Sequence, residues 1–288
     1  MGNKQKANNN STDFTKINSL SNAPVAYELR KIIYNHFPDL SPLLQELPDS
    51  RQRKQYQTQE LLMAAIGMYI FKEGSRNALN NDRVESQEFS NNFKKLFQCQ
   101  LPHMDTVQTF FETLPVGELE DVKTSLVSRL IEKKVFYPYK MFGCYMIAID
   151  ATGVISSAKD IFGCGLKKES KNGVVSYQYH VLEAKLVTEN GLCIPLMSEW
   201  IVNDESHTGA AFNKQDCEQK AFKRLAVKLK KAFPRLPVCI LADALYANDP
   251  VMTICQNNNW KYIITLQDAS LPSLQDQLKD DPKTHHNT

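Results

Sequence analysis

Two short runs restrict the fold of this 288-residue chain more than anything else in it. CYMIAID (144–150) and VCILAD (238–243) are apolar without interruption, and each closes on an aspartate. A strand with one wet face alternates apolar and polar residues. An unbroken apolar run of this length instead reads as a strand buried on both sides, as in the middle of a sheet covered by helices. Around Gly143 the chain therefore changes character, from helical spacing to strand-like runs.

The other strands follow from composition and turn chemistry. SYQYHVLEAKLVT (176–188) and LCIPLMSEWIV (192–202) are β-branched and aromatic, and Glu189-Asn190-Gly191 joins them. Asn-Gly between two such runs is a hairpin signal. Pro195 places a bulge or an edge position in the second run. NKQDCEQKAFKRLAVKLKKAF (213–233) has an apolar stripe of Phe222, Leu225, Leu229 and Phe233, so it reads as a helix with Asn213 as N-cap and Asp216 at N3. Asp249-Pro250 opens a short helix, and WKYIITL (260–266) closes the series as a strand. The order β–β–β–α–β–α–β is that of an α/β protein with mixed strand directions.

Before Gly143 the spacing is helical. Leu61, Leu62, Ala65, Met68 and Tyr69 recur at three and four, with Gly74 as the expected stop. Asp105 or Thr106 caps a helix through Phe111, and Leu119–Lys133 continues with Leu126, Leu130 and Val135 on its stripe. The reading divides the chain into a polar tail (1–23), a helical region (24–140), an α/β core (141–270) and a second polar tail (271–288).

Several classes fall away. The longest apolar run, Leu61–Phe71, is too short to span a bilayer, and the polar, Asn-rich start has no hydrophobic segment of the kind a signal peptide needs. The expectation is a cytoplasmic protein with no membrane partner. Seven cysteines stand singly, with no CxxC pair and an odd count, so they read as small buried hydrophobes rather than a disulfide framework. No Gly-rich phosphate loop, serine elbow or HExxH zinc motif is present.

Asp150 and Asp243 carry the chemistry. Each follows an apolar strand and precedes small residues. If those strands are neighbours, the two carboxylates face one another and repel unless a cation lies between them. Oxygen-only ligands favour Mg²⁺ or Mn²⁺, and a pair of such ions serves phosphodiester cleavage. An aspartate after a strand is equally a turn former or a helix cap. The second feature is charge. The net charge is only +2, yet Lys220, Lys223, Arg224, Lys228, Lys230, Lys231 and Arg235 fall in sixteen residues with no acid among them. Such a run is either a solvated outer face or a surface whose counter-charge is a phosphate backbone. His180, near Tyr177 and Gln178, either orients a phosphate or water or is a hydrogen-bonded sheet residue. His103 is a cap or turn residue, and His285-His286 in the tail is a loose chelating pair.

AIDATGV (148–154), YHVLEAKLVTENGL (179–192), KQDCEQKAFKRLAVKLKKAFPRLP (214–237), ILADALYANDP (240–250) and NNWKYIITLQD (258–268) together resemble the DDE transposases of bacterial insertion sequences. GSRNALN (74–80) and LPHMDTV (101–107) resemble the helical region that precedes their core. The resemblance spans most of residues 50–270. It implies an α/β, RNase H-like mixed sheet with flanking helices, preceded by an all-helical region for DNA binding or assembly. It implies Asp150 and Asp243 as catalytic metal ligands for Mg²⁺ or Mn²⁺, Lys220, Lys223, Arg224, Lys228, Lys230 and Lys231 as DNA-binding residues, double-stranded DNA (element ends and target) as partner, and a homo-oligomer.

The chain departs from the family in two ways. The family's third acid, a glutamate, lies well downstream of the second aspartate, whereas no glutamate follows Asp243 here. The chain is therefore expected to be a C-terminally truncated transposase, weakly active or inactive alone. Ala151 and Ala244 also stand where glycine is common in the family. A non-catalytic, DNA-binding fragment that modulates a full-length enzyme is the rival expectation. A phosphatase or another RNase H-type nuclease is a third.

Overall fold

A computed structural model describes residues 24–203 and 215–266. The expected tails at 1–23 and 271–288, the cap Asn213 and the pair His285-His286 lie outside these. The chain forms two compact units, divided between Val122 and Lys123.

The first unit is helical: α1 (Pro24–His36), α2 (Leu40–Gln45), α3 (Thr58–Ile70), α4 (Arg76–Glu85), α5 (Gln87–Phe97) and α6 (Met104–Thr113), with α7 (Val116–Glu132) crossing the division. In α3 the buried face is Leu61, Leu62, Met63, Ala64 and Gly67, while Tyr69 points to solvent. The expected stop at Gly74 is displaced. Lys72, at φ 57°, takes the left-handed position, and the Glu73 amide returns to the Met68 carbonyl at 2.9 Å, as in a Schellman ending. Neither Asp105 nor Thr106 caps α6. His103 does, its Nδ1 accepting from the Asp105 amide at 3.3 Å. Asn80 accepts from the Met104 amide at 2.8 Å, and Arg83 Nε donates to the Leu101 carbonyl at 2.9 Å, so 74–80 and 101–107 are tied together.

The second unit is a six-stranded mixed sheet: β1 (Tyr145–Ser157), β2 (Leu166–Glu169), β3 (Val175–Val187), β4 (Cys193–Ile201), β5 (Val238–Ala242) and β6 (Lys261–Ile264). Helix α8 (Glu218–Ala232) joins β4 to β5, and α9 (Asp249–Asn257) joins β5 to β6. β3 runs antiparallel to β1 along its length. On its other side β2 pairs with its first residues and β4 with the rest. β5 and β6 add parallel to β1. The β3–β4 hairpin turns at Gly191, φ 86°, and its register shifts beside Pro195, where Lys185 pairs.

The main core lies on one face of the sheet. Ile147, Ile149, Leu182, Ala184 and Ile240 pack under Phe222, Leu225 and Leu229 of α8, joined by Val127 and Phe136. Those last two explain why the sheet-bearing unit begins at Lys123, ahead of the change in periodicity at Gly143. α8 starts at Glu218, with Cys217 rather than Asn213 at the N-cap position, four residues later than its spacing suggests, and Asp216 is therefore no capping residue. The α9 cap is Asn248, accepting from the Val251 amide at 3.1 Å, with Asp249 and Pro250 in the first turn. β2 had no signal in the sequence. No helix among the described residues is long and apolar enough to cross a membrane.

Candidate functional site

β1 pairs with β5 from Tyr145–Val238 to Ala148–Leu241. The same offset carried two residues further sets Asp150 level with Asp243, on neighbouring strands about 4.8 Å apart. Cys144 and Met146 share a small cluster with Cys239 and Leu241, on the face away from Ile147, Ile149 and Ile240. Side chains alternate along a strand, so Asp150 and Asp243 project from that second face together. Both are exposed.

The strand-end expectation needs one correction. Asp150 sits within β1, not beyond it, because β3 continues to pair with β1 as far as Ser157 and holds Glu183 opposite Asp150. What ends here is the pairing with β5, whose last paired residues, Ala148 and Leu241, lie two positions before the aspartates. The two aspartates mark the place where parallel strands part. The connections from β1 lead to β3 and β4 on one side, whereas β5 and β6 lie on the other. In open α/β sheets ligands bind in the crevice beyond the carboxyl ends of strands at such a reversal.

Each carboxylate is anchored locally. Asp150 Oδ1 accepts from the Ala151 amide at 2.9 Å. Asp243 Oδ1 accepts from the Leu245 amide at 3.0 Å and caps the 3₁₀ turn Ala244–Tyr246, so the turn-forming role is also real. Glu183 is a third carboxylate on this face that sequence reasoning missed. Its signal was the alternation of Glu183, Lys185 and Val187 in β3. Lys185 Nζ lies 2.5 Å from Glu183 Oε2, and that hydrogen bond, with the Asp150 charge as a lesser cause, raises the Lys185 pKa.

Behind the pair lies Tyr246, 1% exposed, its ring edge-on to Phe222 at 5.7 Å. Its hydroxyl donates to Glu218 Oε2 at 3.1 Å. Burial first, then the charges of Glu218, Asp243 and Asp150, push its phenol far above the ordinary range. Among the described residues no three His, Cys, Asp or Glu side chains gather closely enough to hold a metal ion.

The basic helix divides in two. Arg224 Nε donates to Glu199 Oε1 at 2.6 Å, its Nη2 to Asp216 Oδ2 at 2.7 Å and to the Trp200 carbonyl at 3.0 Å. Lys228 pairs with the other Glu199 oxygen. Lys220 donates to the Gln215 carbonyl and Lys230 to that of Asn258. The counter-charge absent from residues 220–235 is thus supplied in part by β4 and by the segment before α8. Lys223 and Lys231 remain on its exposed flank. His180 lies on β3 opposite Gly153 with Nε2 3.3 Å from Gln178 Oε1, a sheet histidine whose alternation sets it on the face away from the aspartates.

No protein-family model matches the chain, and no curated protein matches it in sequence.

Proposed function

We propose that this chain is the catalytic region of a DDE-type DNA transposase with an RNase H-like core, cleaving phosphodiesters and transferring strands on double-stranded DNA as a homo-oligomer. One observation carries the reading: the β1–β5 register, which runs from Tyr145–Val238 to Ala148–Leu241, brings Asp150 and Asp243 level on one face when carried two residues past its end. The strand path, with α8 lying between the strands that bear the two acids, agrees with the resemblance of its sequence segments. Seven free cysteines, four of them buried, suit the reducing cytoplasm.

The donor set fits a hard divalent cation. Mg²⁺ is usually held by one or two carboxylates together with substrate phosphates, and here the protein offers two carboxylates on an open face. Asp150 and Asp243 would hold Mg²⁺ or Mn²⁺, which supplies Lewis-acid activation of the attacking oxygen and stabilises the leaving one. The Ala151 and Leu245 amides orient the carboxylates, and Lys223 and Lys231 offer charge to a phosphate backbone.

Titrating Mn²⁺ into the purified chain calorimetrically, beside Asp150→Asn and Asp243→Asn, tests the reading, together with Mg²⁺-dependent nicking of supercoiled plasmid. Binding heat and nicking that both vanish in the variants support it. Full nicking in both variants sinks it. DNA retention without metal heat or nicking in the wild type moves the assignment to a non-catalytic DNA-binding fragment, a reading favoured by the absence of a three-acid cluster among the described residues.

A further inference from the structure

Between β1 and β2 the loop 158–165 folds back over the face that carries the aspartates. Tyr179, by alternation from Glu183, stands on that face, and the loop covers it so fully that it is 2% exposed. The loop is tied throughout. The Tyr179 hydroxyl donates to Asp160 Oδ1 and accepts from the Phe162 amide at 3.2 Å, and the same Asp160 oxygen accepts from the Gly165 amide at 3.1 Å. The Asn203 amide donates to the Cys164 carbonyl at 2.7 Å. Gly163 sits at φ 73°. At Gly165 an added Cβ would lie 2.9 Å from the Tyr177 Cβ, so only glycine allows this approach.

A loop fastened so completely could have turned its apolar side chains inward. It does the reverse. Phe162 meets Tyr179 only edge-on, at 5.1 Å and 81°, and is 64% exposed; Ile161 beside it is 51% exposed. Around them Lys159 is exposed, as is Lys167, which lies on the same face because Leu166 packs against the core of the other. Asp160, the loop's acid, is engaged with Tyr179. An exposed aromatic ring on a tied loop, with exposed lysines three residues before it and five after it, suits a partner that offers flat apolar faces on a polyanionic backbone, which is the chemistry of unpaired nucleotides. Ile155 pairs with Tyr179 after a bulge, four sheet steps beyond Asp150, hence roughly 13 Å away. A span of that length corresponds to a few nucleotides of a DNA strand.

We infer that Phe162, supported by Ile161, is a base-stacking element that holds unpaired DNA a few nucleotides from the Asp150–Asp243 pair. This rests on the DNA reading proposed above but is separable from it by experiment. Fluorescence anisotropy of a labelled 20-nucleotide oligo(dT), with a 20-base-pair duplex beside it, is measured for the full chain, Phe162→Ala and Phe162→Trp. The expected result is a fivefold to hundredfold loss of oligo(dT) affinity in Phe162→Ala, in line with removal of about one base–aromatic stack. Phe162→Trp retains the affinity, and the salt dependence is unchanged. Equal affinity in all three proteins overturns the inference, as does a wild type that does not bind the oligonucleotide. A Phe162→Ala change in sedimentation without a change in affinity also overturns it, since the ring then contacts another copy of the chain. Nicking abolished by Asp150→Asn with Phe162→Ala neutral leaves the transposase reading standing and removes the stacking role. The converse result, stacking without nicking, does the opposite.

Discussion

The two faces of the sheet use charge in opposite ways. Under α8, Glu199 and Asp216 are 2% and 4% exposed, and each is matched by the Arg224 guanidinium, with Lys228 added at Glu199. On the other face Asp150 and Asp243 lie exposed, each accepting from a neighbouring backbone amide, with the Lys185 ammonium drawn to Glu183 beside them. Charge on the first face closes on itself and fixes the helix. Charge on the second is left toward solvent, where a cation can reach it.

The contrast breaks most visibly at Arg224. Replacing it with alanine leaves two buried carboxylates facing one guanidinium-sized hole, and removing one partner of a buried pair costs about 3–5 kcal/mol. Arg224→Ala is expected to lower the urea midpoint accordingly, and Arg224→Lys to recover little, since a lysine cannot reach both acids with a fork. Stability within experimental error of the wild type would show that the network contributes nothing to docking α8.

On the opposite face the comparable experiment is steric. Gly165→Ala sets a Cβ 2.9 Å from the Tyr177 Cβ and 3.0 Å from the Tyr179 ring, so the loop must lift. A cost of about 1–3 kcal/mol is expected, as for overpacking, with Tyr179 becoming accessible to iodination. Protection of Tyr179 in that variant would mean that the loop tolerates the contact.

Much of this plan was legible in the sequence, and the misses share a cause. The unbroken runs at 144–150 and 238–243 gave central strands, because burial on both sides leaves no position for a polar residue. Asn190-Gly191 gave the hairpin, because a positive φ at Gly191 is a local demand. The level placement of Asp150 and Asp243 depended on which strands are neighbours, a property no single segment carries. The partners of Arg224 lie 25 and 8 residues away, so the basic run looked unrelieved. β2 is four residues with three exposed, LKKE, and draws its pairing from β3 rather than from any apolar pattern. Phe162 read as one more aromatic until the loop beneath it was seen to be tied down.

A smaller effect separates the faces by pH. The Tyr179 hydrogen bond, helped by the Gly165, Gly163 and Phe162 amides against some opposing burial, holds Asp160 below the usual carboxylate value. A depressed folded pKa means that the stabilisation is present above the unfolded value, near 3.9, and is lost as pH falls through the lower folded one. The Phe162 and Gly165 amide resonances are expected to shift together on acidification below that range. Asp160→Asn should show the loosened positions already at neutral pH. If the resonances stay fixed in the variant, the loop does not depend on this carboxylate.

The smallest stability effects belong to the exposed flank of α8, where the comparison can be made within one helix. Lys223 and Lys231 point away from the sheet, whereas Lys228, which lies between them in the sequence, is committed to Glu199. Lys223→Ala and Lys231→Ala should change stability by no more than about 0.5 kcal/mol, the usual range for surface substitutions. If the flank meets a phosphate backbone, each should reduce the slope of log affinity for duplex DNA against log salt by about 1, with no preference among sequences. Lys228→Ala should act the other way, lowering the denaturation midpoint while leaving the salt slope intact, because its charge is already neutralised within the fold. An equal slope in all three variants would place the DNA contact elsewhere. A slope change confined to Lys228→Ala would mean that its pair with Glu199 opens when DNA binds, and that the two faces do not divide the charge as their resting geometry suggests.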